Sequence, residues 1–407
     1  MNMRAKILSI IALTICINLQ AQAQVDSLMQ VYDFAGAARL LRTQINKARN
    51  AGEPVATLQE RLRQAEMGER MLPATEQVVF LDSIVMPAES VLSKIRLTSH
   101  AGRLMAVRDF FGQDYPQGFT GQGTMYIGDY GDRIFLSQAD STGLHKLHQS
   151  RLLGGTWSAP QLLPGLENTI DTQDFPFALP DGQTLYFAAS GEQSLGGYDI
   201  FVTRYDADQG RYLKPAHLGF PFNSTANDYL YIIDEAAGVG YFISDRNQPT
   251  GYVCLYAFIP NTTHDIYMLS EENADSVRRA ARIASIQELG AESEQALAAR
   301  RKANKALSAS YAAQQTPIYI VIDDNHVYTQ PTQLKNETAA RIATEYVNRQ
   351  RELIALEQEI EAARENYVAM PSQEVGSQIL ALEQRIDNLR NTIHRLSINM
   401  RKAELGE

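Results

Sequence analysis

Cysteine is almost absent from this chain of 407 residues, which contains only Cys16 and Cys254. If Cys16 belongs to a leader that is removed, a single cysteine is left, and an intrachain disulfide is then excluded. An excess of basic charge is also lacking, since 37 Lys and Arg stand against 47 Asp and Glu and give a formal net charge of −10. Nucleic-acid binding requires a basic patch, so the composition argues against a nucleic-acid partner.

Catalytic signatures are lacking as well. The chain has no Gly-x-Ser-x-Gly, Gly-x-x-x-x-Gly-Lys-Ser/Thr or His-Glu-x-x-His pattern. His145 and His148 have no cysteine or carboxylate pair nearby, so histidines of a sheet are a better interpretation than zinc ligands. The sequence therefore predicts a protein that is not an enzyme and that needs no cofactor or metal.

The only long apolar run lies at the N-terminus and has the pattern of a secretory signal peptide. Arg4 and Lys6 precede an apolar run over residues 7–19, and residues 21–23 form a small-x-small cleavage site. We expect cleavage near Ala23 and a periplasmic or outer-membrane-associated mature chain. Retention as a membrane anchor is one alternative, and acylation of Cys16 within a loose lipoprotein box is another.

The middle of the chain, residues 75–265, is rich in strand signals, and these are clearest over residues 174–202. Asp181-Gly182 is a tight-turn dipeptide, because glycine adopts a positive φ without steric cost. Apolar residues then alternate with period two, as in a half-buried strand. A second glycine-rich turn at Gly196-Gly197 leads into another strand signal.

An internal repeat runs through this region. Residues 155–163 match residues 210–218, and residues 167–171 parallel residues 222–226. A period near 50 residues, with several strands in each unit, is typical of propeller blades. Three units are recognisable, whereas propellers typically close with about four to eight blades. We therefore expect a propeller that is small, open or completed by a partner, with its open edges covered by that partner or by the chain's own helices.

The repeat also resembles a known family. The letters D-x-P-x-x-x-P-D-G-x-x-L-Y-F over residues 174–187, with G-G-Y-D-I-F over residues 196–201, are similar to the WD40-like (PD40) propeller repeat of TolB-type proteins in the Bacteroidetes cell envelope. The resemblance implies a blade that serves as a binding platform, close to secretion or outer-membrane machinery. It also implies structural roles for Asp181 and Gly182 in one turn, Gly196 and Gly197 in the next, and Asp199 as the cap of the third strand.

Aromatic residues at the predicted loop tips are the candidate binding residues, namely Tyr198, Phe220, Phe222 and Tyr252. Aromatic side chains contribute much of the binding energy at interfaces, so these four predict a platform for a protein partner. A carbohydrate or peptidoglycan ligand is the alternative. Aspartates near the blade loops lack the spacing of an EF-hand, which favours turn and hydrogen-bonding roles over a calcium site. A propeller-based hydrolase or lyase is the least favoured reading, since no two carboxylates are marked as a pair.

Helical patterns flank the strand-rich middle. Residues 24–72 predict a helical hairpin that resembles a tetratricopeptide helix pair; packing against the propeller is the favoured arrangement, because such repeats need neighbours. Residues 270–333 predict an exposed or mobile helix and then a β-hairpin, which we expect to pair with a sheet edge or with the strand at 78–85. Over residues 334–407, apolar residues step by three and four, which predicts an antiparallel coiled-coil hairpin with Ser372 as a cap and a surface for self-association.

These patterns together predict a multidomain α+β protein, with an N-terminal helical hairpin, a small or incomplete β-propeller and a C-terminal antiparallel coiled-coil hairpin. The function that they predict is a non-enzymatic scaffold or binding protein of the cell envelope.

Overall fold

The computed structural model describes residues 22–111, 115–120, 123–129, 131–153, 156–167, 170–315, 318–323, 326–369 and 372–406. The predicted signal peptide lies outside the described residues, as does Cys16, except that residues 22 and 23 begin a helical stretch over 22–30. The fold is mixed α and β, as predicted, with helices in the N-terminal and C-terminal parts of the chain and antiparallel sheets between them.

Besides the helical stretch at 22–30, the helices of four residues or more fall into an N-terminal pair, two short helices among the first strands, and a C-terminal group. They are α1 (Phe34–Asn50), α2 (Ala56–Met71), α3 (Val91–Lys94), α4 (Val107–Phe111), α5 (Ala274–Ala281), α6 (Glu294–Gln315), α7 (Glu337–Ala369) and α8 (Gln373–Leu405). No described helix combines the length and the apolar character that a membrane crossing requires.

The strands are antiparallel to their neighbours throughout. They are β1 (Phe80–Pro87), β2 (Arg103–Ala106), β3 (Thr124–Ile127), β4 (Arg133–Ala139), β5 (His145–Leu153), β6 (Thr156–Trp157), β7 (Gln161–Leu162), β8 (Thr172–Ala178), β9 (Thr184–Ser190), β10 (Asp199–Asp206), β11 (Arg211–Tyr212), β12 (Ala216–His217), β13 (Asp228–Asp234), β14 (Val239–Ser244), β15 (Tyr252–Phe258), β16 (Ile320–Asp323) and β17 (His326–Tyr328).

Three sheets repeat the same arrangement of consecutive antiparallel strands. The first sheet has the order β2-β3-β4-β5, with β6 and β7 pairing to β5; the second has β8-β9-β10, with β11 and β12 pairing to β10. The third sheet has the order β13-β14-β15 and is completed by β1, which comes from the start of the region and pairs Val85 with Cys254. Each sheet is thus a local meander, and among the described strands of these three sheets only β1 joins from a distance in sequence.

Apolar side chains fill the spaces between the sheets. One core contains Phe135 from the first sheet and Phe187 from the second. A second core contains Ile200 from the second sheet and Phe242 from the third, together with Phe222. Fully burying a side chain of this size stabilises the fold by about 1.5–3 kcal/mol, so stacking of the sheets is the main stabilising interaction of the middle region.

The chain's own segments cover the outer faces of the first and third sheets. Val107 of α4 and Phe119 pack against the first sheet. On the third sheet, Ala296 and Ala303 of α6 pack against Val239, and all three are buried. The prediction of an exposed helix therefore misses one packed face of α6, where small alanine side chains let the helix lie close to a sheet without bulky apolar residues, while most of its other described side chains are exposed. Coverage by the chain's own helices was one of the predicted alternatives.

The N-terminal hairpin packs against the second sheet's connecting loops. Asp33 caps α1 by accepting a hydrogen bond from Gly36 N at 3.1 Å, and this cap fixes where the helix begins. Phe34 of α1 then packs with Leu195 and Phe220 from the middle of the chain. This contact favours the hairpin-on-sheet interpretation over a tetratricopeptide array.

The small β-hairpin does not join the large sheets. In the described residues, β16 pairs with β17 alone, so the predicted pairing with a sheet edge or with the strand at 78–85 is wrong. Ile320 and Ile322 instead pack against Ala343 of α7 and Met400 of α8. The helices bury the apolar face of the hairpin, and the position beside β15 is already taken by β1.

The C-terminal helices α7 and α8 pack antiparallel, as the sequence predicted. Leu356 and Ile360 of α7 share a buried core with Ile386 of α8. Ion pairs flank this core, between Arg390 and Glu357 at 2.7 Å and between Arg364 and Glu383 at 2.9 Å. The predicted cap is confirmed, since Ser372 Oγ accepts a hydrogen bond from Val375 N at 3.2 Å.

Candidate functional site at one end of the sheets

Three aromatic rings meet where strands of the second and third sheets begin. Phe175 lies in β8, Tyr198 immediately precedes β10, and Tyr229 lies in β13. Their ring centroids are 5.5–6.2 Å apart, and each ring is half-buried. We refer to Phe175, Tyr198 and Tyr229 as the aromatic cluster. Rings at these separations support one another and leave part of their surface open to a ligand.

Phe175 is held in an unusual backbone conformation. Its φ is +53°, in the left-handed region, and the pairing of β8 with β9 shifts register at this point. Such a conformation costs about 1–3 kcal/mol for a bulky residue and persists only where its surroundings enforce it. Here Phe175 N donates to Thr124 Oγ1 at 3.1 Å and to Asp174 Oδ1 at 2.7 Å. Thr124 Oγ1 donates in turn to Asp174 Oδ1 at 2.7 Å, so the first sheet fixes a ring of the second.

Tyr198 is positioned by the two glycines that precede it. A Cβ atom at Gly196 would lie 1.8 Å from the carbonyl oxygen of Ala226, and one at Gly197 would lie 2.0 Å from Oδ1 of Asn227. Only glycine permits so close an approach to the loop before β13. Tyr198 N then donates to the same Asn227 Oδ1 at 3.0 Å, which places the ring beside the third sheet.

Tyr229 and its neighbours form a hydrogen-bonded network. The hydroxyl of Tyr229 donates to Asp245 Oδ2 at 3.0 Å, and Asn227 Nδ2 donates to the same oxygen at 2.7 Å. Burial raises the pKa of Tyr198 to about 12, and the nearby Asp174 carboxylate adds to the shift. Burial and then Asp245 also raise the pKa of Tyr229. Both phenols therefore stay protonated at neutral pH and act as neutral donors.

This arrangement can bind a ligand that has both apolar surface and polar groups. The rings offer apolar faces, and the carboxylates of Asp174 and Asp245 lie beside them as acceptors. His145 is adjacent: its Nδ1 lies 2.9 Å from Ser137 Oγ and 3.8 Å from Asp174 Oδ2. In the described part of the chain, no group of three or more His, Cys, Asp or Glu side chains is arranged to hold a metal ion.

The four predicted binding residues differ in position and exposure. Tyr198 lies in the aromatic cluster, whereas Tyr252 is 45% exposed at the start of β15, where it pairs with Pro87. Phe220 and Phe222 are each only 1% exposed, so their prediction as loop-tip binding residues is wrong. Phe220 stacks on Phe34 with centroids 5.8 Å apart, and Phe222 lies in the core between the second and third sheets. The reason is that the loop carrying them is folded inward between packed elements.

The predicted turn residues lie where the sequence placed them. Asp181 Oδ1 accepts hydrogen bonds from Gln183 N and Thr184 N at 2.8 Å each, and Gly182 has a φ of +71°. Asp199 begins β10 fully buried and accepts hydrogen bonds from Leu195 N and Gly196 N. His217 Nε2 lies 2.7 Å from its carboxylate. Asp199 therefore fixes the loop that carries Tyr198.

Sequence reasoning missed Phe175, Tyr229 and Asp245. Phe175 and Tyr229 stand within strand patterns, and nothing in those patterns marks the irregular pairing that redirects Phe175. The repeat offset did align the two sheets, and it could have indicated that β8 and β13 begin at the same end.

No known protein family, curated protein or solved structure matches this chain.

Proposed function

We propose that this protein is a non-enzymatic scaffold or binding protein of the bacterial cell envelope, and that it binds a protein partner at the aromatic cluster. One observation carries the proposal: three half-buried rings from two sheets are held together by a strained backbone and a hydrogen-bonded network. Strain of this kind is kept where function requires a fixed geometry. Tyrosine is also enriched among the residues that dominate binding energy at protein interfaces.

We further propose that the three stacked sheets are blades of an incomplete propeller. Three features support this reading: the repeated antiparallel meander, the packing of neighbouring sheets face to face, and the completion of the third sheet by β1. The segments α4 and α6 occupy the faces to which further blades would be added. A fourth blade from a partner would have to displace them, so we propose that a partner binds at the strand ends instead.

The test is a cross-linked pull-down from envelope extract with the mature chain, followed by mass spectrometry. Tyr198→Ala should reduce recovery of the specific partner by at least tenfold, because the substitution removes one of the three rings. Tyr252→Ala removes an exposed tyrosine outside the cluster and should leave recovery unchanged. Equal recovery with both variants would contradict the proposal, provided that circular dichroism shows Tyr198→Ala to be folded.

A carbohydrate or peptidoglycan ligand is the second candidate, and the acceptors beside the rings favour it. Sugars present apolar faces that stack on aromatic rings and hydroxyls that donate to a carboxylate such as that of Asp245. Sedimentation with purified peptidoglycan would test this function. Depletion of the native protein, but not of Tyr198→Ala, would assign a glycan to the cluster, and no depletion of either would exclude peptidoglycan.

Residues 1–23 carry the proposal of an envelope location. Export with cleavage near Ala23 predicts a mature periplasmic or outer-membrane-associated chain. Fractionation of expressing cells, with mass spectrometry of the mature N-terminus, would test it. A mature chain in the cytosol would overturn the location, and a lipid-modified Cys16 would replace cleavage near Ala23 by acylation.

A further inference from the structure

A cavity of about 570 Å³ runs along the edge of the first sheet. Gly102 and the consecutive β2 residues Arg103, Leu104 and Met105 all line it. Successive side chains of a strand point to opposite faces of the sheet, so a cavity that contacts all three must run along the edge of the strand. We refer to this cavity as the edge groove.

The edge of β2 that faces away from β3 is open. β2 pairs with β3 over its whole length, from Arg103 opposite Ile127 to Ala106 opposite Thr124. No other strand among the described residues pairs with β2. An open edge presents backbone N–H and C=O groups that can pair with an added strand. The facing wall is formed by α6, through Leu307 and its neighbours, and by residues that follow α3.

Apolar and basic side chains line the edge groove together. The apolar ones come from β2, α6, α3 and the segment after α3, namely Leu92, Ile95, Leu97, Leu104, Met105 and Leu307. Arg96 and Arg103 are the charged residues of the lining, and no acidic residue belongs to it in the described structure. Burial lowers the pKa of the Arg103 guanidinium, and the nearby charge of Arg351 of α7 lowers it further.

The basic character extends beyond the lining. Residues 90–108 carry Lys94, Arg96, Arg103 and Arg108 and no acidic residue, although the chain has a net charge of −10. The helix α6 likewise carries four basic residues against one acidic residue, Glu294. A second cavity of about 740 Å³ beside the 98–100 segment is lined by three basic residues of that helix, Arg301, Lys302 and Lys305, and by one acidic residue, Glu359 of α7. Basic side chains therefore outnumber acidic ones where the 90–108 segment faces α6.

We propose that the edge groove binds an extended peptide segment of a partner protein, rich in acidic and apolar residues, which adds a strand to β2. The backbone of the peptide would pair with the open edge, its apolar side chains would enter the groove, and its carboxylates would contact Arg96 and Arg103. A peptide satisfies all three features, whereas a single acyl chain supplies no backbone donors or acceptors for the edge. The groove shares no residue with the aromatic cluster, so the two proposals can fail separately.

Fluorescence anisotropy with the mature full-length chain tests this proposal. The probe is a labelled peptide of about six residues, an average strand length, that alternates Glu with Leu or Val. We expect saturable binding that weakens as salt is raised. A matched peptide with Lys in place of Glu should bind at least tenfold more weakly, and so should the Glu peptide with N-methylated backbone amides. Equal affinity for the N-methylated peptide would overturn strand addition.

Variants localise the binding. Arg103→Glu should weaken the Glu peptide at least tenfold and improve the Lys peptide, since it reverses a charge in the groove. Arg211→Glu makes the same charge change at an exposed site on β11 and should leave both affinities unchanged. No binding of the Glu peptide, or no effect of Arg103→Glu, would overturn the proposal. Binding of dodecanoate without binding of any peptide would also overturn it and would make the groove an amphiphile site.

Discussion

Arg246 and Asp228 form an ion pair inside the protein, with side chains 4% and 0% exposed. Their charged atoms lie 2.7 Å apart, and Arg246 also donates to the carbonyl oxygens of Pro221 and Phe222 at 2.7 Å each. Burial alone would lower the pKa of Arg246, but the Asp228 carboxylate, together with the nearby Tyr32 and Tyr256, outweighs burial and raises it. The guanidinium therefore stays charged and holds in place the loop that turns Phe222 into the core.

Removing the Asp228 carboxylate should destabilise the protein, because the buried Arg246 guanidinium then has no counter-charge. Asp228→Asn leaves a buried cation without its counter-charge, and we expect a loss of about 3–5 kcal/mol in the free energy of unfolding. The exposed pair of Arg279 and Glu288 is the control, and Glu288→Gln there should cost less than about 1 kcal/mol. Urea denaturation of both variants measures the difference, and similar losses would show that burial is not the cause.

The buried phenol of Tyr32, just before α1, makes the stability of the folded protein depend on pH in the alkaline range. Its ring is buried beside Phe34 and Phe220, and burial raises the pKa of the Tyr32 phenol to about 12. A raised pKa in the folded state means that the folded protein binds the proton more tightly than the unfolded chain does. The corresponding stability is complete below pH 10 and is lost as the pH rises from 10 to 12.

For Tyr32, a shift from 10 to about 12 corresponds to about 3 kcal/mol of stability lost over that interval. Tyr32→Phe should therefore reduce the fall in unfolding free energy between pH 10 and 12. Denaturation at a series of alkaline pH values measures this slope, with Tyr252→Phe as the comparison for an exposed tyrosine. An unchanged slope in Tyr32→Phe would contradict a buried phenol at this position.

At the scale of elements, the loop between β9 and β10 joins two sheets through Gly196. Adding a Cβ atom there would bring it within 1.8 Å of the Ala226 carbonyl oxygen, so loop and sheet must separate. We expect Gly196→Ala to cost more than about 2 kcal/mol and to weaken binding at the aromatic cluster. Gly251→Ala is the control, since its Cβ would meet no atom within 4 Å and only its φ of +86° opposes the change, by about 1 kcal/mol. Thermal unfolding should rank the two variants in this order, and the reverse order would contradict the steric account.

Sequence patterns identified elements well where the physical signal is local. The seam of α7 and α8, the Ser372 cap and the Asp181-Gly182 turn each depend on neighbouring residues, and the structure shows all three. Predictions failed where the position of an element depends on contacts with residues distant in sequence. The packing of the alanine face of α6 depends on a sheet earlier in the chain, and the position of β16 depends on helices that follow it.

The candidate site shows the same limit. Tyr198 was found because a glycine pair and Asp199 mark its loop. Phe220 and Phe222 have the same residue type in a loop, but the buried Arg246 and the hairpin ring of Phe34 draw them inward. Such contacts join positions that are far apart in sequence. Neither the amino-acid composition nor the spacing of apolar residues predicts them.

At the scale of the whole molecule, the C-terminal helices have a core of their own. The residues that α7 and α8 bury against each other belong to a cluster separate from those between the sheets. A chain ending at residue 315 should therefore keep its sheets, and the full chain should unfold in two steps. Calorimetry of both chains measures this, and an unfolded truncated chain would show that the helices are required by the sheets.

Self-association through the C-terminal helices stays a prediction, and the structure sharpens it. Leu356, Ile360 and Ile386 are already buried within one chain. A dimer through the same seam would require the hairpin to open and exchange helices. Sedimentation velocity over a range of concentrations would reveal such an exchange as a slowly forming dimer, and a monomer throughout would argue against self-association by this route.

The position of β1 has a consequence for the order of folding. It is the first strand to be synthesised, yet its partner β15 is the last strand of the three-sheet region. The third sheet cannot be completed until the whole region has emerged, and contacts between residues so distant in sequence slow folding. If the chain is exported through a membrane from its N-terminus, as we propose, the third sheet would consequently remain incomplete during transit. It would form only after β15 had crossed.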